Sequence, residues 1–376
     1  MTDEIVNCAQ KCGAYIPQKV AKLDEYSPVS GSFKIRLDAN ESPFPPTPEI
    51  LDEFTNALKS IEFNRYPDPL ATELLKEISN SYHIPTNCLV VGNGSDELIS
   101  LICGGLTEPD ESVTVALPDF SMYEFYSSLS GARVFHYFKD ENNVLDLERL
   151  SDFANENRSK IVIFSNPCNP TGECESREEI INFVRSTDSL VIVDEAYNEF
   201  SNMDSGIFEI ADKFENLIVL KTLSKAYGMA AIRLGIAASN PKIISALRKI
   251  KSPYNVNAVT QEFARIIITH RAEIEKRAKL ISGEMTKMRD MLLKADLPFV
   301  KKIFSTQANF VLIEMESSEL AVELTNRLAE NGIAIRCFAK NASIRISCGT
   351  SSENYAVYCE IVKILNNIKK SAEKSS

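Results

Sequence analysis

Lys225 lies in a segment, Val219–Gly235, whose residue types could bind and activate a carbonyl compound. A lysine amine among small residues at the end of an apolar strand is a candidate for Schiff-base formation. Thr222 and Ser224 offer hydroxyl groups, and Arg233 offers a planar cation suited to a phosphate. Taken alone, the segment is also compatible with a solvated loop that carries a surface lysine.

Asp194 ends a second, strongly apolar run, and Tyr197 follows three residues later. A carboxylate at this position could hold a metal ion, a ribose or a protonated ring nitrogen, and Tyr197 could reach the same ligand. The alternative is an ordinary helix N-cap, which is a common role for an aspartate that follows a strand.

Two turns offer further polar groups. Asn169 lies between Pro167 and Pro170, which restrict the backbone and present the amide rigidly, although a plain turn has the same composition. The turn Gly92–Gly94 precedes a predicted helix, and the free N–H groups of a helix N-terminus bind anions. Glu97 stands where a dinucleotide-binding fingerprint requires a small residue, so that motif is absent.

Together these segments supply an anion cradle, an amine, an arginine, a carboxylate and an Asn/Tyr pair, all after apolar strands. Catalysis with pyridoxal 5'-phosphate requires such a set, because the cofactor provides the electron sink while the protein positions and tunes it. The residues therefore predict an enzyme with pyridoxal 5'-phosphate as its cofactor.

Short apolar runs must position these groups. The predicted strands are Cys88–Val91, Ser112–Ala116, Lys160–Phe164, Ser189–Val193, Asn216–Leu220 and Leu234–Ala238. Continuous apolar runs suit strands buried on both faces, and their alternation with helical patterns predicts an α/β fold with a mostly parallel sheet. Ligands bind beyond the carboxyl ends of such strands, where the polar residues lie.

A second, smaller α+β unit is predicted after this sheet. The predicted elements are one long helix over Val256–Leu293, strands at Asn309–Glu314 and Ser343–Ser347, and helices at Glu319–Asn331 and Glu353–Ile368, followed by a frayed tail from Ser371. We expect a large cofactor-binding domain over residues 47–257. The N-terminal arm, residues 1–46, would join residues 258–376 in the small domain.

Composition narrows the class of protein. Against 41 Lys and Arg, the 376-residue chain carries 52 Asp and Glu, and a net charge of −11 disfavours nucleic acid and anionic membranes as partners. The nine cysteines are scattered and the N-terminus lacks a signal-peptide pattern, which predicts a cytoplasmic protein with reduced thiols. Cys8 and Cys12 are four residues apart, but with three histidines in the chain we expect no metal site.

The order Asn169, Asp194, Tyr197, Ser224-Lys225 and Arg233 resembles that of the fold-type I aminotransferases, over essentially the whole chain. Several further segments resemble the histidinol-phosphate aminotransferase family. These are Gly13–Pro17, Leu37–Pro43, Asn64–Asp68, Pro118–Tyr123, Pro253–Asn257 and Ile344–Thr350. The chain departs from the pattern at Cys168, where relatives often carry Asn; a small side chain there should not disturb Asn169.

The resemblance implies roles at the cofactor ring. Lys225 would form the Schiff base and carry the proton, and Asp194 would pair with the pyridine nitrogen. Asn169 and Tyr197 would bind the ring 3'-oxygen, while Tyr123 would stack on the ring face. Lys225, Asp194 and Tyr197 are thus the expected catalytic residues.

The resemblance also implies a phosphate site, a substrate site and a homodimer. The expected phosphate ligands are Gly94, Ser95, Asp96, Thr222, Ser224 and Arg233, with Tyr66 supplied by the other subunit. The expected substrate-binding residues are Tyr15, Asn40, Arg336 and Arg345. Arg345 would meet a carboxylate of glutamate or the phosphate of histidinol phosphate.

The activity implied by the resemblance is amino transfer from histidinol phosphate to 2-oxoglutarate, in histidine biosynthesis. Three alternatives share parts of the pattern. An aromatic or broad-specificity aminotransferase would use the same chemistry with another pocket. A decarboxylase of the threonine-phosphate type would release carbon dioxide, and a cofactor-binding domain of a regulator would need a DNA-binding extension that the sequence lacks.

Overall fold

The computed structural model describes residues 15–21, 23, 25 and 29–375, so Cys8 and Cys12 lie outside the described residues. The helices are α1 (Gln18–Ala21), α2 (Pro48–Leu58), α3 (Thr72–Tyr82), α4 (Ser95–Gly105), α5 (Met122–Ser130), α6 (Leu147–Glu156), α7 (Arg177–Ser186), α8 (Pro241–Ile250), α9 (Ala258–Thr269), α10 (Arg271–Lys294), α11 (Ser318–Glu330) and α12 (Ser351–Ser375). The strands are β1 (Ile35–Leu37), β2 (Leu89–Asn93), β3 (Ser112–Leu117), β4 (Arg133–Phe138), β5 (Ser159–Ser165), β6 (Leu190–Asp194), β7 (Leu217–Thr222), β8 (Leu234–Ser239), β9 (Val300–Ile303), β10 (Phe310–Met315), β11 (Ile333–Phe338) and β12 (Ser343–Ser347).

The larger sheet confirms the predicted α/β architecture. Its seven strands lie in the order β2-β8-β7-β6-β5-β3-β4, and β8 pairs antiparallel with both of its neighbours while the pairs from β7 to β4 are parallel. All six predicted apolar runs are strands of this sheet. The sequence does not predict β4, because that strand lies at the sheet edge and its side chains are only partly buried.

Continuous apolar runs are needed because the sheet is covered on both faces. Val191 and Val193 pack into one buried cluster, whereas Ile192, between them, packs into a second cluster. Successive side chains of a strand point to opposite faces, so a strand in the middle of two layers must be apolar at every position.

The smaller sheet has the order β1-β11-β12-β10-β9. Its strand β1 comes from the N-terminal part of the chain and pairs in parallel with β11, with Ile35 opposite Ile333. The N-terminal part of the chain thus contributes a strand to the smaller sheet, and the predicted domain bounds stay a prediction. In the part of the chain that the structure describes, no helix is long and apolar enough to cross a membrane.

Two predicted helices are wrong in extent. The helix expected over Val256–Leu293 is two helices, α9 and α10, which meet at His270, where φ is −92° and ψ is 16°. No glycine or proline marks this break, so the sequence does not show it. The tail predicted to fray from Ser371 continues α12 to Ser375.

Candidate active site

A cavity of about 990 Å³ lies at the carboxyl ends of the large-sheet strands and is closed on one side by residues of the small sheet. The sequence-predicted residues that line it are Asn40, Ser95, Asp96, Tyr123, Asn169, Asp194, Tyr197, Thr222, Ser224, Lys225, Arg233, Arg336 and Arg345. Residues up to about 300 positions apart in the chain therefore meet in one place.

Asp194 is a buried carboxylate at the end of β6, only 4% exposed. Its carboxylate accepts hydrogen bonds from the Tyr123 hydroxyl at 2.9 Å and from the Ala196 N–H at 3.0 Å. Burial nevertheless raises the pKa of Asp194 to about 7. A cation placed against this carboxylate would remove the cost of its charge, which is the arrangement that a protonated ring nitrogen requires.

Tyr123 is fully buried and its hydroxyl is committed to Asp194. Its ring packs edge-to-face on Phe120, with ring centroids 5.5 Å apart. Burial raises the pKa of Tyr123 well above its ordinary value, so the hydroxyl stays protonated and donates to the carboxylate. The hydroxyl therefore orients Asp194; stacking of Tyr123 on a cofactor ring stays a prediction.

Lys225 follows β7 and is partly exposed to the cavity. Its amine donates to the Ala39 carbonyl at 2.8 Å and lies 5.8 Å from the centre of the Tyr197 ring. A primary amine at the mouth of a cavity that also holds Asp194 is positioned for covalent chemistry or proton transfer on a bound ligand.

Asn40 connects this part of the site to the small sheet. Its side-chain amide donates to the Tyr197 hydroxyl at 2.9 Å, and its side-chain oxygen accepts from the Ser347 hydroxyl at 2.9 Å. Asn309 donates to the Asn40 carbonyl at 3.1 Å. Asn40 is thus a buried link that positions Tyr197, in addition to its predicted place in the substrate site.

Gly94 and Arg233 mark a candidate anion cradle, because Gly94, at φ +85°, turns the chain into α4 immediately beside Arg233. A Cβ atom added at Gly94 would lie 2.6 Å from Arg233 Nη2, so only glycine leaves room for the guanidinium. Arg233 also reaches Asp96 at 3.3 Å and the Ser224 hydroxyl at 3.4 Å, and the Thr222 hydroxyl donates to Ser224 at 3.0 Å. These hydroxyls, this cation and the start of α4 face one point, as a phosphate site requires.

Arg345 and Arg336 form a second positive region, on the small-sheet side. The two residues are cross-strand partners on β12 and β11, and both line the cavity. The buried Arg345 donates to Asn169 Oδ1 and, at 3.0 Å, to the Asp38 carbonyl, and its guanidinium lies 5.2 Å from the Phe310 ring centre. The contact to Asn169 joins this region to the predicted ring-binding residues, so a ligand's anionic end would lie beside them.

Tyr15 and Tyr66 do not line the cavity of the single chain. Their exposed fractions are 82% and 81%, and Tyr66 stacks on Tyr254 with ring centroids 4.6 Å apart. The contribution of Tyr66 across a subunit interface and the substrate contact of Tyr15 stay predictions.

Asp119 is a site residue that the sequence reasoning did not single out. It lines the cavity with its carboxylate buried, and it accepts hydrogen bonds from the Ser165 N–H at 3.1 Å and from the Ser165 hydroxyl. That hydroxyl in turn accepts from the Asn169 N–H at 3.1 Å, so Asp119 helps to position Asn169. The sequence did carry a signal for Asp119, because it is a polar residue just after β3, as Asp194 is at the end of β6.

Comparisons with known proteins show the family and the fold. The family described as aminotransferase class I and II matches residues 32–362. A histidinol-phosphate aminotransferase of Clostridium novyi is 36% identical over 348 residues, 92% of this chain and 93% of that protein, and one of Clostridium kluyveri is 35% identical over 95% of this chain and 98% of that protein. A solved histidinol-phosphate aminotransferase of Sinorhizobium meliloti, in complex with pyridoxal 5'-phosphate, has the same fold, with a TM-score of 0.86 at 22% identity over 94% of this chain and 98% of that one.

Proposed function

The chain belongs to the class I and II aminotransferases, and from this premise we propose that it transfers the amino group of histidinol phosphate to 2-oxoglutarate. The products are imidazole-acetol phosphate and glutamate, in histidine biosynthesis. The observation that carries the proposal is the pair of arginines, Arg336 and Arg345, at the end of a cavity that also contains Lys225 and Asp194.

The residues present fit pyridoxal 5'-phosphate. Because Gly94 has no side chain, Arg233 has room to lie at the cradle for the phosphate. The buried Asp194 suits a protonated ring nitrogen. Bound pyridoxal 5'-phosphate supplies an electron sink for the charge released when a bond to the substrate's amine-bearing carbon breaks. Thr222, Ser224 and Arg233 hold the phosphate in this proposal.

Lys225 moves the proton at the amine-bearing carbon of the substrate. Its partly exposed amine donates to the Ala39 carbonyl, which holds it at the cavity. Asp194 keeps its negative charge when a cation lies against it, and Tyr123 holds that carboxylate in place. Asn169 and Tyr197 orient the ring through its 3'-oxygen.

The two substrates share anionic groups rather than a carbon skeleton. Histidinol phosphate has no carboxylate, so a cationic site must bind its phosphate, whereas 2-oxoglutarate presents carboxylates to the same place. Arg336 and Arg345 lie side by side and can bind either anion with charge-assisted hydrogen bonds. Tyr15 and Asn40 complete this substrate site in our proposal.

We also propose a homodimer in which Tyr66 reaches the cofactor phosphate of the partner subunit. The large exposed fraction of Tyr66, and its stacking on Tyr254, leave its hydroxyl available to another chain. The net charge of −11 disfavours nucleic-acid and anionic-membrane partners, and the scattered cysteines support the cytoplasmic location that we propose.

A half-reaction experiment tests the function. The cofactor-loaded protein is mixed separately with histidinol phosphate, phenylalanine, glutamate and O-phosphothreonine, and the absorbance band of the bound cofactor is followed. We expect rapid loss of the band with histidinol phosphate and with glutamate, and much slower loss with phenylalanine. Rapid loss with phenylalanine alone would move the function to aromatic amino acids. Carbon dioxide release from O-phosphothreonine would identify a decarboxylase instead.

A further inference from the structure

Lys139 and Cys168 form a buried pair behind the wall of the active-site cavity. Lys139 directly follows β4, and Cys168 lies in the loop after β5, so the two residues come from separate strand ends of the large sheet. The Lys139 side chain is 2% exposed and Cys168 is 3% exposed. Neither residue has a part in the proposed transfer reaction.

The two reactive atoms are in direct contact. Lys139 Nζ lies 2.9 Å from Cys168 Sγ, 3.0 Å from the Pro118 carbonyl and 3.5 Å from Asp119 Oδ2. Cys168 Sγ also lies 3.4 Å from the Pro118 carbonyl. Both atoms contact the Pro118 carbonyl, which holds the sulfur and the amine next to each other. The two atoms are therefore already in contact before any reaction.

The pair places a buried thiol against a buried lysine amine. Burial and the neighbouring Asp119 raise the pKa of the Cys168 thiol, and the Lys139 cation makes this rise smaller. Burial also opposes the charge of Lys139, and the neighbouring Cys168 and Asp119 outweigh it, so the pKa of the ammonium is raised. The Lys139 cation would stabilise the thiolate that oxidation requires, and its amine lies in contact with the sulfur that would be oxidised.

We propose that Lys139 and Cys168 are a modification site, at which a peroxide joins them through a covalent nitrogen–sulfur cross-link. The thiolate of Cys168 attacks one peroxide oxygen, the O–O bond breaks, and the departing hydroxide takes a proton from the Lys139 ammonium to form water. The resulting sulfenic acid faces a neutral amine. The amine attacks sulfur, the S–O bond breaks, and the hydroxyl leaves with an amine proton as a second water. Sulfur loses two electrons to the peroxide, and the protein loses two hydrogen atoms.

The pair lies next to the active-site cavity without lining it. Pro118, Asp119 and Asn169, which surround it, line the active-site cavity. The cross-link would join the loops after β4 and β5 directly beside Asn169, and it would remove the cation that faces Asp119.

Peptide mapping of the full-length, cofactor-loaded protein tests the proposal. After brief treatment with hydrogen peroxide, the protein is digested with trypsin without reductant. We expect peptide 134–149, uncut at Lys139, joined to peptide 161–177, with a loss of two hydrogen atoms from their summed mass. Reduction with dithiothreitol should separate the two peptides. A joined pair that retains one oxygen atom would contradict the proposed linkage, because both peroxide oxygens leave as water in the proposed reaction.

Matched residues and variants control the experiment. Cys103 is a buried thiol whose hydrogen-bond partner is Ser127, and Lys221 is a buried lysine between Glu195 and Glu199; we expect neither in a cross-link. Cys168→Ser and Lys139→Arg should each abolish the joined peptide.

Cys174→Ser should retain the joined peptide, which excludes a disulfide within peptide 161–177. The proposal is overturned if trypsin cuts wild-type protein normally after Lys139 while Cys168 is recovered as a thiol, as a sulfinic acid or in a disulfide with Cys174. These outcomes do not depend on the substrate, so they are distinct from failure of the proposed transfer reaction.

Discussion

Replacing Gly94 by alanine should separate cofactor binding from folding. The added Cβ atom would lie 2.6 Å from Arg233 Nη2, which is the end of a flexible side chain and can move away. The guanidinium would then leave its place in the phosphate cradle. Loss of a charge-assisted hydrogen bond costs about 1.5–3 kcal/mol, which corresponds to roughly 10- to 100-fold weaker binding of pyridoxal 5'-phosphate.

Backbone strain adds a separate effect on stability. Gly94 has φ +85°, a conformation that costs a residue with a side chain about 1–3 kcal/mol. Gly131 has a similar φ of +88°, but nothing lies within 4 Å of its added Cβ atom. Gly131→Ala should therefore lower the free energy of unfolding without weakening cofactor binding. Gly104→Ala, in α4 with open space around it, should leave both intact or raise stability by up to about 1 kcal/mol.

The assay is an equilibrium titration of each apoprotein with pyridoxal 5'-phosphate, followed by absorbance, alongside thermal unfolding of the same samples. Gly94→Ala should differ from Gly131→Ala in the dissociation constant and resemble it in the loss of unfolding temperature. Equal cofactor affinity in wild type and Gly94→Ala would refute the assignment of the phosphate to this cradle.

Three further changes test the site. Lys225→Ala should abolish multiple turnover in a steady-state assay, and full activity would show that another group moves the proton. The pKa of Asp194 is about 7 in the folded protein and near 4 in the unfolded chain. Between these values the folded state holds the proton more tightly, so the free energy of unfolding of the apoprotein should fall as pH rises from about 4 to 7, by at most about 4 kcal/mol. Asp194→Asn should remove this loss in unfolding scans across that pH range, and an unchanged pH profile would contradict it. Arg336→Gln should raise the KM for histidinol phosphate at least about tenfold, while Arg327→Gln, on an exposed face of α11, should not.

The strands of the large sheet were predictable because their environment imposes a local rule. A strand covered on both faces must be apolar at each position, and Leu190–Val193 shows that rule in four consecutive residues. The rule fails at the sheet edge, so β4 was missed. The break at His270 was missed for another reason, because two helices meet there without a residue type that marks a break.

The candidate site was predictable where polar residues end such strands. Asp194, Thr222 and Lys225 follow this pattern, and they meet because the carboxyl ends of parallel strands lie along one edge of a sheet. Asp119 follows the same pattern and was missed, because its partner Ser165 lies 46 residues away and the contact is not visible in either segment.

The sequence by itself determined the chemistry that the chain can perform, because amine, carboxylate, guanidinium and glycine are properties of single residues and short segments. The tertiary structure decided which of these groups meet. Arg345 bonds Asn169 across 176 residues, Asn40 bonds Ser347 across 307, and Lys139 contacts Cys168 across 29. The first of these contacts crosses between the two sheets, and the other two join distant segments of the chain at one sheet. No local pattern encodes the distance between residues that the chain brings together only when it folds.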